Sequence, residues 1–453
     1  MTQTVKSLFI SEYFPDEPKK MVHGAFQRLR RHIEALSSIG PVDFVFLWPL
    51  HWFESESRQL EYVEAFRQEW SISGRIILIA PPVSPEDGQC RPRRLGVGDA
   101  LAAMRGAVSF NKGMPTMRSS RFAEVVRLEQ TIGELKPDLI FAHRLASTAA
   151  LIRITTPLPP IMADFDDLEH IALRRAGLAE RSRTSRARLL LAARLARRTE
   201  RLVARFATVG LVCSELDRQI LNRLAPGARI EVAPNGPPTP ASLASPVPPG
   251  FLILFVGYAR YEPNAEGILW LIRRIFPLVR AQLPQARLMI IGDGSRELGI
   301  GDSEPGVEVL GFVPDLQSAY ERARLVVCPV RRGAGTRIKI IEAALHGRPV
   351  VSTSVGAEGL DLLDGRDLIL ADDEKAFAEA IVDLLSNDEK AGRIGAAASD
   401  RARRVYAADK IRSNLACLAR SLAMRERAPA GGERSARNGE DDDGDAVGDG
   451  HPA

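Results

Sequence analysis

The chain has 453 residues, 45% of them hydrophobic and 26% charged, with a net charge of +4. That length exceeds what one core ordinarily supports, so two domains and a tail are expected, and the composition is that of a soluble globular body. The small net charge does not by itself imply a nucleic-acid or membrane partner, so the distribution of charge has to be read along the chain.

Cys90, Cys213, Cys328 and Cys417 lie far apart, with no C-x-x-C pair and no histidine at metal-ligand spacing. Reduced thiols, two of them inside apolar runs, are the expectation, and a cytoplasmic protein with them. The first ten residues hold no stretch suited to a signal peptide, and no apolar run approaches the roughly 20 residues that cross a bilayer. A peripheral position at the inner face of a cell membrane remains compatible with this.

Short apolar runs alternate with longer amphipathic stretches, the pattern of parallel sheets covered by helices. Strands are predicted at Ser7–Ile10, Val42–Leu47, Arg75–Ala80, Asp138–Phe141, Ile161–Phe165, Gly210–Cys213 and Ile230–Ala233, with a helix from about Ala25 to Leu36. After Ile161–Phe165 comes the acidic loop Asp164-Phe-Asp-Asp-Leu-Glu-His170. Asp164 or Asp167 there could touch substrate or act in catalysis. Equally, Asp166 or Asp167 could cap the long helix that follows. His170 as a metal ligand lacks partners. Arg174 to Arg205 contains eleven arginines and two glutamates among leucines and alanines. Such a basic amphipathic helix suits an anionic membrane surface, a solvated face is the ordinary alternative, and nucleic acid is not expected.

The Pro-rich run Pro237–Gly250 is the clearest linker. The rhythm restarts at Phe251–Gly257 and continues with strands at Arg287–Ile291, Val307–Leu310, Arg324–Val330, Pro349–Thr353 and Leu368–Leu370. The expected organisation is a Rossmann-like domain over 1–240, a linker over 237–250 and a second Rossmann-like domain over 251–404. A helix over 405–425 could cross back to the first domain, and an acidic tail over 426–453 is expected to be disordered. Two doubly wound α/β domains facing a cleft place ligands beyond the carboxyl ends of their strands.

The segment most suggestive of chemistry runs from Leu325 through Gly333-Ala-Gly-Thr-Arg-Ile-Lys-Ile-Ile-Glu342 to Ser352. A strand enters a glycine loop, and a helix predicted to start near the N-cap Thr336 ends at Gly347. Gly333 and Gly335 let the backbone approach a ligand closely, and free N–H groups at the helix start form a site for a diphosphate. Ile338, Ile341 and Leu345 should be buried. Gly335, Lys339, Glu342 and His346 share another face, where Lys339 would meet phosphates and Glu342 two ribose hydroxyls. Alternatively, Lys339 and Glu342 form an ordinary surface pair at i, i+3.

This segment, with Val350-Val-Ser-Thr-Ser-Val-Gly-Ala-Glu-Gly359, resembles the donor region of glycosyltransferase family 4, the group 1 glycosyltransferases of GT-B fold. Val232-Ala-Pro-Asn-Gly236, Phe255-Val-Gly-Tyr-Ala-Arg-Tyr-Glu-Pro-Asn264, Ile290-Ile-Gly-Asp-Gly294 and Val309-Leu-Gly-Phe-Val-Pro-Asp315 match in the family's order. The resemblance covers nearly all of residues 250–400 and is looser over 1–230. It implies retaining, metal-independent transfer from a sugar nucleotide, with no cofactor, to a glycan or lipid-linked acceptor in cell-envelope or exopolysaccharide synthesis.

By the same resemblance Gly257 lies at the donor, Gly24 near the reacting sugar, and the first domain holds the acceptor. His143, at a strand end, could bond the donor sugar or the acceptor, or be structural. The family's first glutamate in the donor segment corresponds to Ala334 here, so sugar recognition must differ. The family's Arg and Lys after the first strand of this domain are also missing: Tyr258 follows Gly257, and Asn264 or Pro263 stands near the Lys position. Arg260, Arg337 and Lys339 are the replacement cations expected to stabilise the leaving phosphates.

A Rossmann oxidoreductase is rejected, since no G-x-G-x-x-G follows the first strand of either half. A sugar-nucleotide epimerase, a phosphorylase and a GT-B scaffold that has lost catalysis are the remaining rivals.

Overall fold

The computed structural model describes residues 4–12, 14, 24–47, 56–79, 122–237, 244–300 and 304–427, without the side chains of 24–26, 56–57, 122–123 and 426–427. Cys90 and the acidic tail beyond 427 lie outside the described residues.

The first sheet contains β1 (Ser7–Ser11), β2 (Val42–Phe46), β3 (Ile76–Leu78), β4 (Leu139–His143), β5 (Ile161–Asp166), β6 (Val209–Val212) and β7 (Ile230–Val232). Their order is β3-β2-β1-β4-β5-β6-β7, and every pairing is parallel. The second sheet contains β8 (Leu252–Val256), β9 (Arg287–Ile291), β10 (Val307–Gly311), β11 (Leu325–Cys328), β12 (Val350–Ser352) and β13 (Ile369–Leu370). Its order is β10-β9-β8-β11-β12-β13, again all parallel.

Both sheets are thus doubly wound, and each reverses its strand order once, between β1 and β4 and between β8 and β11. A crevice opens at the carboxyl ends of the strands at each reversal. The strands are continuous apolar runs because both faces of a parallel sheet are covered. All five residues of β1, β2 and β4 are buried.

Helix α1 (Gly24–Ser37) covers β1 and turns Leu29, Ile33 and Leu36 into an aromatic core with Phe9, Phe44 and Phe141. The remaining helices of the first half are α2 (Glu56–Glu69), α3 (Phe122–Leu135), α4 (Arg144–Leu151), α5 (Glu169–Ala179), α6 (Arg183–Phe206) and α7 (Glu215–Leu224). One basic helix was expected after the acidic loop, but the chain forms two, α5 and α6. Ser182 breaks the run, its hydroxyl accepting from Ser185 N as the N-cap of α6. The two helices pack as an antiparallel hairpin, with Gly177 against Leu189 and Leu190 and His170 bonded to Glu200.

In the second half, α8 (Glu262–Trp270) runs through a π turn at Leu271–Ile275 into α9 (Phe276–Gln282). Pro277, with no N–H and a bulky ring, accounts for the widened turn. The others are α10 (Gln317–Arg322), α11 (Ile338–Leu345), α12 (Glu374–Ser386), α13 (Asp388–Tyr406) and α14 (Ala408–Arg427). Helix α14 leaves the second half and packs on α1, placing Leu415, Ala419, Leu422 and Ala423 in the core of the first.

Two buried arginines anchor the linker. Arg348, fully buried just beyond α11, donates to Ser245 Oγ at 2.7 Å and Pro246 O at 2.9 Å. Arg324 donates to Pro248 O at 3.2 Å and pairs with Asp388 at 2.5 Å. Cys213 and Cys328 are buried and free, and Cys417 is exposed and free. No helix among the described residues is long and apolar enough to cross a membrane.

Candidate functional site

The two crevices face each other, and several of the contacts between them come from strand-end loops. Asn235 Nδ2 donates to Thr336 Oγ1 at 3.1 Å. Arg175 of α5 donates to Gly333 O at 2.7 Å and grips Glu358 with both terminal nitrogens, at 2.5 and 2.6 Å. The Asp167 carboxylate lies against Gly335, where any Cβ would sit 1.9 Å from its oxygen. Gly335 also has φ +80°, so glycine is required there on both counts.

On the second-domain side, β11 delivers the glycine loop and α11 follows. The helix starts at Ile338, and its N-cap is Arg337, in extended conformation and making no side-chain cap. Thr336 is therefore not the N-cap expected from sequence, because its hydroxyl is taken by Asn235 of the other domain. Nor does Arg337 reach outward as a replacement cation. Its guanidinium turns back to brace the loop, bonding Ala334 O, Gly335 O and Arg332 O. Ile340 N donates to Arg337 O at 3.0 Å, and the rest of the first turn has no side-chain cap, an arrangement suited to an anion.

Lys339 is 9% exposed, and its ammonium donates to Asn264 Oδ1 at 2.9 Å and lies 4.2 Å from the centre of the Phe255 ring. Asn264 is fixed in turn by donating to Tyr258 O at 2.9 Å. The residue near the missing Lys position is thus the one that holds Lys339. A Cβ at Gly257 would come 2.6 Å from Lys339 Nζ and displace the ammonium from its place over Phe255. Burial lowers the Lys339 pKa to about 8, so the amine stays cationic below that pH with no carboxylate bonded to it.

Glu342 is not a surface partner of Lys339. Its Oε2 accepts from Tyr320 Oη at 2.8 Å, and burial raises its pKa. Ile341 and Leu345 are buried, as the helical spacing predicts, whereas Ile338, at the start of the helix, is only half-buried. Arg260 stands at the end of β8 but is half exposed and occupied by Asp293 at 3.3 Å and Glu297 at 2.5 Å. It shares the strand-end rim with Lys339 without meeting it. Arg331 and Arg332 are similarly engaged by Glu266.

On the first-domain side, Asp164 is 1% exposed and both its oxygens are held by Arg28, at 2.5 to 3.2 Å, with His32 at 3.5 Å. The guanidinium holds this carboxyl well below the usual carboxylate range. Asp164 thus anchors α1 to the end of β5. Arg28 continues the network to Ala233 O and Asn235 Oδ1 at 2.7 and 3.0 Å, and so supports the residue that reaches Thr336.

Neither Asp166 nor Asp167 caps a helix. The N-cap of α5 is Leu168, without a side-chain bond. A register shift between Asp164 and Asp166 turns Asp166 into a left-handed conformation, φ 56°, where it pairs with Arg144 at 2.9 Å. Arg144 itself has φ 66°. Two strained non-glycine residues at adjacent strand ends, paired with one another, mark a crevice whose shape is imposed by the fold.

Asp167 is the acidic residue that reaches the other domain. Burial first, and then Asp166, raise its pKa to about 7, against the attraction of Arg337. His143 ends β4. Its Nδ1 lies 3.0 Å from Ser11 Oγ, while its Nε2 is buried without a partner. Burial lowers its pKa to about 4, so the ring is neutral. Gly24 is the first residue of α1, and the loop before it lies outside the described residues.

Sequence reasoning missed Tyr320, Gln27, Arg28 and Arg175. A signal existed for Arg28: with Arg31 and His32 it interrupts the buried face of an otherwise apolar helix.

A family model described as glycosyl transferases group 1 matches residues 250–387. Over 144 residues the chain is 30% identical to an uncharacterised 44.6 kDa protein of the cps region of Klebsiella pneumoniae, covering 30% of this chain and 37% of that protein. Over 162 residues it is 32% identical to a phosphatidyl-myo-inositol mannosyltransferase of Mycobacterium leprae, covering 34% and 42%. The chain thus spans less than half the length of these two relatives.

Among solved structures, sucrose-phosphate synthase from Thermosynechococcus elongatus superposes with a TM-score of 0.63 at 16% identity, over 93% of this chain and 100% of that one. TarM of S. aureus, solved with fondaparinux, alpha-GlcNAc-glycerol and UDP, gives 0.61 at 12%, over 93% and 100%. HepE of Anabaena, with UDP and glucose, gives 0.56 at 16%, over 91% and 99%. At such identities the likeness is one of fold. Lys339, Glu342 and the glycine loop fall inside the matched residues, and the second domain is therefore a domain of the group 1 glycosyl transferases, set in a chain of GT-B fold.

Proposed function

We propose that the protein is a retaining glycosyltransferase that moves a sugar from a nucleoside-diphosphate-sugar to a glycan or lipid-linked acceptor, in cell-envelope or exopolysaccharide synthesis. The observation that carries this reading is Lys339: a buried ammonium on neutral Asn264, beside an uncapped helix start and behind a glycine loop. A cation whose charge is not cancelled by a protein carboxylate is suited to a leaving diphosphate. Glu342, held by Tyr320, would accept from ribose hydroxyls. Gly257, Gly333 and Gly335 would let the donor approach the backbone. His143 Nε2, neutral and unpartnered, would bond a sugar hydroxyl, with Gly24 nearby. UDP or glucose in the solved relatives and mannosyl transfer in the curated ones support the substrate class.

The inferred transfer needs no metal, because Lys339 and the helix start supply the positive potential, and EDTA should leave turnover unchanged. Incubation with a panel of sugar nucleotides and acceptor extracts should release nucleoside diphosphate and label the acceptor. Sugar turnover without any acceptor would instead indicate an epimerase. Ala334, in place of a sugar-reading glutamate, is the one feature favouring a catalytically impaired scaffold. Saturable binding of sugar nucleotides with neither hydrolysis nor transfer would establish that alternative.

The hairpin of α5 and α6 is the proposed contact with anionic lipid at the inner face of the cell membrane. Ten of its eleven arginines are exposed, together with Leu178 and Leu191 at 53% and 40%. Flotation with vesicles containing anionic lipid should show salt-sensitive binding. Binding equally strong on neutral vesicles, or none at low salt, would remove the membrane from this reading.

A further inference from the structure

Glu342 is gripped from two sides by residues that no motif singled out. Tyr320 donates to Oε2 at 2.8 Å from α10, which lies on the crossover between β10 and β11. The tyrosine is 1% exposed, and its ring stacks on His346 with centroids 4.7 Å and planes 10° apart. From the first domain, Gln27 of α1 hydrogen-bonds the same carboxylate. The carboxylate is thus fixed within its own domain by a rigid phenol and met across the cleft by an amide.

Burial raises the Glu342 pKa, while Tyr320, Gln27 and Lys339 act in the opposite direction. The Tyr320 phenol is itself pushed well above its ordinary value by burial and by Glu342, so it carries its proton throughout the working range. A buried carboxylate without such a donor would rotate or protonate, and in either state it would be a poorer acceptor for paired hydroxyls.

We propose that Tyr320 is a positioning residue for donor recognition: its hydroxyl holds the Glu342 carboxylate against rotation as a hydrogen-bond acceptor for the nucleotide ribose, and His346 holds Tyr320 by stacking. The proposal rests on the donor reading of Glu342. Tyr320→Phe keeps the ring and its stacking and removes only the hydroxyl.

Titration calorimetry of the full chain with UDP, GDP and ADP tests it, using whichever diphosphate binds most tightly. Tyr320→Phe should weaken binding about ten- to a hundredfold, the scale of a hydrogen bond to a charged group. It should also move the acidic limb of the affinity profile to higher pH. With the sugar nucleotide, KM should rise while kcat changes by less than about threefold. In a Glu342→Gln background the same substitution should cost little or nothing, because the two act as one unit. His346→Ala keeps the hydroxyl but frees the ring. It should give a smaller effect in the same direction, and it decides the matter if Tyr320→Phe fails to fold.

Two results overturn the proposal alone: Glu342→Gln weakens binding while Tyr320→Phe and His346→Ala do not, or Tyr320→Phe costs as much with Glu342→Gln as without it. If Glu342→Gln binds like the unaltered protein, or no diphosphate binds, the donor reading itself fails.

Discussion

The two crevices are built from the same strand-order reversal but treat charge in opposite ways. In the first domain the buried charges satisfy one another, Arg28 with Asp164 and Arg144 with Asp166. In the second, Lys339 is held by the amide of Asn264 and Glu342 by the phenol of Tyr320. Self-neutralised pairs have little left for a ligand, so the first network acts as scaffold. Charges held by neutral partners keep their field, which is what recognition of a charged donor requires.

Breaking the scaffold network should have the largest effect on stability. Asp164→Ala strips the buried Arg28 of its two-oxygen partner and leaves it the Asp166 carboxylate at 3.6 Å, so it should cost about 3 kcal/mol, read by urea unfolding of the full chain. Lys339→Met should do the reverse. It keeps the apolar stem, changes the unfolding transition little, and lowers turnover about 10²- to 10³-fold, as expected for loss of one electrostatic stabiliser. An equal loss of stability in both variants would erase the distinction between the crevices.

pH sharpens the comparison. The Lys339 amine is charged below its pKa of about 8, so diphosphate affinity should fall as pH rises through 8. Asp167 has its folded pKa raised to about 7. Between the unfolded carboxyl pKa of about 3.9 and about 7, the folded state binds the proton and the unfolded state does not. Stability should therefore decline as pH rises across that window. Asp167→Asn should remove this slope and raise the unfolding temperature at pH 8 more than at pH 5. A smaller effect is expected at the rim. Arg175 and Glu358 are each about a third exposed, so Arg175→Ala should cost no more than about 1 kcal/mol. Its consequence should be a looser closure, read as faster protease cleavage near the glycine loop.

Much of the architecture was legible because parallel strands covered on both faces are continuous apolar runs, and Leu252–Val256 or Leu139–His143 can be little else. The glycine loop was legible for a related reason: positive φ at Gly333 and Gly335 and close approach leave only glycine. The errors lay where a residue's partner is distant in sequence. Thr336 looked like an N-cap until Asn235 claimed its hydroxyl. Asp166 and Asp167 looked like caps, but a register shift turned one toward Arg144 and the other toward Gly335. For Arg337 the partners are local, the carbonyls of Arg332, Ala334 and Gly335, but spacing does not say which way a guanidinium folds.

The sequence alone determined two doubly wound domains, a glycine loop before a helix, and Lys339 and Glu342 on that helix, because hydrophobic period and glycine conformation act over a few residues. Only the tertiary structure decided which charges are neutralised and which remain available. Arg28 meets Asp164 across 136 positions, Lys339 meets Asn264 across 75, and Tyr320 meets Glu342 across 22. Burial fixes the energetic weight of each contact, and burial is a property of the packed molecule rather than of any local stretch of chain.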